Sequence, residues 1–136
     1  MPHLRNYHLL ISHSWKYSNQ YETIRTWLNR SPYFSWSDYS VCCDEPLNTH
    51  TDWQLQNALS NRIANCSAVI VVSGMYANYS KWIDFEIDTA IRYGKPIIGI
   101  RPWGAERIPA KIQNNSTVMV YWQSASLVEA IRQYAI

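Results

Sequence analysis

The sequence predicts an α/β fold: five parallel strands in one sheet, with helices on both faces. Three observations carry this. Apolar runs of strand length alternate with stretches of helical periodicity, strand then helix, five times along the chain, which is the order of a parallel sheet with crossover helices. Ala68 to Ser73, A-V-I-V-V-S, is an unbroken β-branched run, so both of its faces are covered, as in a parallel sheet. The 136 residues are 47% hydrophobic and 16% charged, which fits one globular domain with a single well-filled core.

Taken in order, Tyr7 to Ser12, Y-H-L-L-I-S, reads as a buried strand ending in the polar and aromatic cluster His13-Ser14-Trp15. Tyr21 to Asn29 follows as a helix with Ile24, Trp27 and Leu28 inward, broken by Ser31-Pro32. Tyr39 to Cys43 is the second strand, and Asp44 to Thr51 a polar loop whose Thr51, or Asp52, caps the next helix. That helix, Asp52 to Asn65, carries Leu55, Leu59 and Ile63 on one face. After the third strand, residues 74–78 lead to a helix that Ser80 caps, with acidic residues in its first turns and Gly94 and Pro96 at its end. Pro96 to Ile100, P-I-I-G-I, is the fourth strand, and 101–104 a turn. Residues 108–116 are irregular or a short helix. Thr117 to Tyr121 is the fifth strand, and Ser124 to Tyr134 the closing helix, with Leu127, Ala130, Ile131 and Tyr134 inward.

Composition narrows the function. A net charge of +2 without any run of Lys or Arg argues against a nucleic-acid or membrane-surface binder. The N-terminal M-P-H-L-R-N-Y-H has no apolar signal region, and the apolar runs are too short to span a bilayer. The three cysteines, with Cys42 and Cys43 adjacent and so pointing to opposite faces of a strand, read as reduced thiols of a cytoplasmic protein. The four histidines have no metal-ligand spacing with the cysteines, so no metal is expected. Neither a P-loop nor a G-x-G-x-x-G fingerprint is present, and there is no G-x-S-x-G nucleophile elbow. The first and third strand ends carry Ser12-His13 and Ser73-Gly74 rather than the acids of a phosphoacceptor receiver.

In a sheet of this kind, ligands sit outside the carboxyl ends of the strands at the topological switch point. That places Ser12 to Trp15, the 44–51 loop, Ser73 to Tyr76 and the Trp103 loop around one crevice. The helix after the third strand adds a carboxylate. Ile83, Ile87, Ala90 and Ile91 make its apolar stripe, and Glu86 falls on the edge of that stripe, one turn beyond Trp82 and two beyond Tyr79. The plain alternative is a solvated helix acid. As a site, Glu86 comes with Trp15, Tyr76 and Trp82 as ring-stacking partners and with Ser12, His13 and Ser73 as hydrogen-bonding groups. One carboxylate suits cleavage of a glycosidic bond through an oxocarbenium-like transition state, since it binds ribose hydroxyls and steadies the positive charge. A leaving group that is already cationic, such as the nicotinamide of NAD, needs no general acid.

The segments L-I-S-H-S-W (10–15), V-V-S-G-M-Y (71–76), S-K-W-I-D-F-E-I (80–87) and G-K-P-I-I-G-I-R-P-W-G (94–104) resemble the TIR-like domains of bacterial Thoeris anti-phage systems, the ThsB family. The resemblance runs from about Tyr7 to Tyr134. It implies a flavodoxin-like TIR fold, NAD as substrate, Glu86 as the catalytic residue, and an NAD pocket lined by Ser12 to Trp15 and Ser73 to Tyr76. It further implies an enzyme responding to a phage-derived trigger. This enzyme would release nicotinamide and make a cyclic ADP-ribose isomer or an ADP-ribose amino-acid conjugate, a diffusible signal for a separate effector, ThsA. The chain departs from the S-x-x-x-C-x-x-E spacing of animal and plant TIR helices, with Ile83 where their cysteine stands. The alternative is a non-catalytic adaptor acting by assembly with partners or with itself. Phe85, nearly opposite the apolar stripe, is its candidate contact.

Overall fold

The computed structural model describes residues 6–12, 18–39, 52–72, 76–101 and 110–136. Among the described residues five strands, β1 (Asn6–Ser12), β2 (Ser35–Asp38), β3 (Ala68–Val72), β4 (Ile97–Arg101) and β5 (Val118–Tyr121), alternate with five helices. These are α1 (Ser18–Arg30), α2 (Asp52–Ala64), α3 (Tyr76–Arg92), α4 (Ala110–Asn115) and α5 (Ser124–Tyr134). All neighbouring strands are parallel, and their order is β2-β1-β3-β4-β5. This is the flavodoxin-like order, so the expected fold class holds. Helix α1 packs with α5, while α3 packs with α2 and α4, which puts the two groups on opposite faces of the sheet.

The core follows from the apolar runs. Every residue of β3 is buried, as are Leu9, Leu10 and Ile11 of β1 and Ile97, Ile98 and Ile100 of β4. Helices close over them with the residues that periodicity assigns inward: Ile24 and Leu28 of α1, Leu59 and Ile63 of α2, and Leu127, Ala130 and Ile131 of α5. Trp27 is half-buried, edge-on to Trp122 with ring centroids 4.8 Å apart. Gly99 has a steric reason. A Cβ there would overlap Met119 Sδ and stand 2.9 Å from Ser116 Oγ. Gly99→Ala is therefore expected to push Met119 out of place and to cost about 1–3 kcal/mol, read as a lower denaturation midpoint at unchanged m-value.

Several elements differ from their sequence-based expectation. The second strand lies at Ser35–Asp38 rather than Tyr39 to Cys43, and 40–43 are outside the described residues. Its sequence, S-W-S-D, has no apolar alternation to betray it. It is held by polar groups at a sheet edge instead. Asn6 Nδ2 donates to Ser37 Oγ at 2.9 Å, Ser35 Oγ donates to Asn6 Oδ1 at 2.9 Å, and the Tyr21 hydroxyl donates to Asp38. Burial and the Asp38 carboxylate together push the Tyr21 phenol well above its ordinary pKa. Helix α3 begins at Tyr76, so Ser80 is a helical residue and not a cap, and its first turn holds no acid. The doubtful fourth helix exists as the short α4. The end of α3 is as expected. Gly94 has φ +67°, its N–H donates to Ile91 O at 3.1 Å, and the Lys95 N–H donates to Ala90 O at 2.8 Å. That pair of bonds is a Schellman cap, which satisfies carbonyls that the helix leaves open. Cys66 is a buried free thiol, and burial raises its pKa to about 11. Cys42, Cys43 and the 44–51 loop lie outside the described residues.

Candidate active site

The chain leaves β1 toward β2 on one side and β3 toward β4 on the other, so the switch point lies between β1 and β3. Ser12 closes β1 there, in register with Val71 of β3. It is 1% exposed, and its hydroxyl oxygen has no hydrogen-bond partner among the described residues. Val72 ends β3 one position beyond that register, and α3 descends from the same end of the sheet to pack against β3.

Glu86 is placed differently from the expectation. It is fully buried, at 0% exposure, and it is the one charged residue in the buried class among the described residues. At about 100° per residue, buried Thr89, Ala90 and Ile87 fall on either side of it. The acid therefore occupies the middle of the helix's inner face rather than its edge. Ile91, expected on the stripe, is 52% exposed, because it stands further round the helix in the last turn. The solvated-acid reading is overturned: taking a carboxylate out of water costs several kcal/mol in effective terms, which no surface acid bears. Phe85 is half-buried and packs against the core, so it is not the exposed contact that an adaptor would present.

Of the four buried polar residues among those described, Ser12, Ser67, Glu86 and Thr89, Ser67 has a plain structural task. Its hydroxyl accepts the His8 N–H at 3.1 Å. Thr89 Oγ1 has no hydrogen-bond partner among the described residues, and the same holds for Gln20 Oε1 in the first turn of α1. Sequence reasoning missed both. Thr89 could have been found from its i+3 spacing to Glu86, while Gln20 is marked only by following β1 closely.

The structure thus brings Ser12 to the carboxyl end of β1 and carries Glu86 inward on α3. His13, Trp15 and Ser73 lie outside the described residues, as do the side chains of Tyr76 and Trp82, which both stand on α3. No group of three His, Cys, Asp or Glu converges as a metal centre among the described residues. A groove of about 490 Å³ between the α1–β2 turn and α5, lined by Ser31, Pro32, Val128 and Arg132 among others, contains none of the predicted site residues. Among the described residues no helix is long and apolar enough to cross a membrane.

Against known families, the profile of the Thoeris protein ThsB, TIR-like domain, matches residues 10–107. That span includes the carboxyl end of β1, all of α3 and every predicted site residue. The chain belongs to the Thoeris ThsB TIR-like family. No curated protein matches it significantly. Among solved structures, the Clostridium botulinum CMP N-glycosidase BcmB superposes with a TM-score of 0.59 at 17% identity, over 93% of this chain and 99% of that one. At that identity the likeness speaks for the fold, and it agrees with the strand order of this ThsB-family sheet.

Proposed function

We propose that this ThsB-family chain cleaves the N-glycosidic bond of NAD and passes on the ADP-ribosyl group as a signal. The observation that carries the reading is the burial of Glu86 on the helix that follows β3 at the switch point. In the reaction, the bond between ribose C1′ and the nicotinamide ring nitrogen breaks. Its electron pair stays with nicotinamide and cancels the ring's positive charge. The ribosyl group is left as an oxocarbenium ion, and the Glu86 carboxylate, held away from water, stabilises that charge where screening is weakest. Capture by water gives ADP-ribose and a proton. Capture by an adenine nitrogen gives a cyclic isomer, and capture by an amino-acid nucleophile gives a conjugate. Ser12, His13, Trp15, Ser73, Tyr76 and Trp82 would hold the dinucleotide. The product would diffuse to the effector ThsA after a phage-derived trigger turns the enzyme on. The reaction class is supported by the solved neighbour, whose name describes cleavage of an N-glycosidic bond in CMP.

Mass spectrometry of small molecules from phage-infected cells expressing the protein tests this. Free nicotinamide and an ADP-ribose derivative should appear that uninfected or non-expressing cells lack. Unchanged NAD alongside release of cytosine from CMP would replace NAD with a nucleotide of the neighbour's kind. No N-glycoside turnover at all would favour the adaptor.

A further inference from the structure

In the reading above the α3 layer supplies Glu86, and the α1 layer has supplied no residue so far. We propose that Gln20 is a substrate-contacting residue whose side-chain oxygen accepts a hydrogen bond from the adenosine ribose of the dinucleotide. The inference rests on the NAD reading above.

Gln20 Oε1 is shut off from solvent and has no hydrogen-bond partner among the described residues. Native proteins seldom bury an acceptor without using it, because the group loses water and gains nothing. Ser12 Oγ is in the same condition. The two residues bracket the connection from β1 to α1, Ser12 as the last residue of the strand and Gln20 in the first turn of the helix. They therefore belong to the end of the sheet where the topology places a ligand.

The chemistry of the atoms selects the ligand group. The unpartnered atom of Gln20 is its carboxamide oxygen, an acceptor, which needs a donor that a hydroxyl supplies and a phosphate oxygen does not. The Ser12 hydroxyl does either. A ribose diol supplies the donors that this pair lacks. The layer arrangement selects which ribose. Helix α1 lies on one face of the sheet and α3 on the other, so a dinucleotide across the crevice meets one helix from each side. With Glu86 on α3 at the scissile ribose, Gln20 on α1 falls to the adenosine ribose.

Calorimetric titration of the full chain with ADP-ribose, and with an analogue lacking both adenosine-ribose hydroxyls, tests the contact without needing turnover. Wild type should bind the analogue about tenfold more weakly than ADP-ribose, the loss expected for one good hydrogen bond. Gln20→Met, close in size and without the acceptor, should bind ADP-ribose about tenfold more weakly than wild type and should not distinguish the two ligands. Equal discrimination by Gln20→Met and wild type overturns the contact, as does a wild type that binds both ligands alike. The wild-type comparison stands even where the variant folds poorly. Wild type that binds no ADP-ribose overturns the NAD reading itself, an outcome separate from either of these.

Discussion

Glu86→Gln is expected to lower nicotinamide release by about 10²–10³-fold, the usual loss when one preorganised electrostatic group is removed from a transition state. Gln keeps the length, the planarity and one carbonyl oxygen of the side chain, so the inner face of α3 should pack as before. What it removes is the negative charge. In water that charge would be worth little to a cation a few ångströms away, but at a buried position the same pair interacts several times more strongly. Folding should not suffer, because a neutral amide costs less to bury than a carboxylate. A melting temperature equal to or above that of wild type, together with lost turnover, is the expected pair of results. Wild-type product formation by Glu86→Gln would end the catalytic assignment. A variant that unfolds would show that Glu86 is there for the core.

Ile70→Ala should have the largest effect on stability. Ile70 is fully buried at the middle of β3, the strand that pairs with β1 on one side and β4 on the other. Truncating such a side chain removes its transfer free energy and leaves a hole between two helical layers, so a loss of about 2–5 kcal/mol is expected. Total stability of about 5–15 kcal/mol is typical, so this is a large share of it. Tyr121→Ala, on the edge strand β5 and 68% exposed, should stay within about 0.5 kcal/mol. Urea denaturation of both variants measures the difference. Equal destabilisation would mean that β3 is not the centre of the core.

How much of this was legible depended on how each element is held. β3 and β4 are covered on both faces, so burial wrote them as continuous apolar runs that cannot be misread for long. The periodicity of α5 and the Gly94-Pro96 stop after α3 were equally plain, because each reflects a local backbone demand. β2 was not legible. Its four residues are fastened by Asn6, Tyr21 and neighbouring hydroxyls, and such partners are distant in sequence. Ser80 misled for a different reason. Serine is favoured at caps, yet it is only mildly unfavourable inside a helix, and nothing between Tyr76 and Ser80 breaks one. In the candidate site, the choice of Glu86 came from spacing, but its depth did not. Periodicity counts Thr89 as polar and Ile91 as apolar, whereas the fold buries the first and exposes the second. That exchange turned the inferred inner face away from the acid. Ser12 was legible as the residue at a strand end, and the missing hydrogen bond that now marks it could only be seen in three dimensions.

The strand order also sets a timetable for synthesis. β1 leaves the ribosome before β2 and meets it next, but its other neighbour is β3, whose last residue comes sixty positions after Ser12. At translation speeds of about 5–20 residues per second, β1 waits roughly 3–12 s with one apolar flank unpaired. The nascent chain thus passes through an interval in which the apolar half of β1 is open to the wrong partner, and β3 then repeats the wait for β4. Chaperone dependence of this protein in the cell would be decided in those seconds, well before any nucleotide arrives.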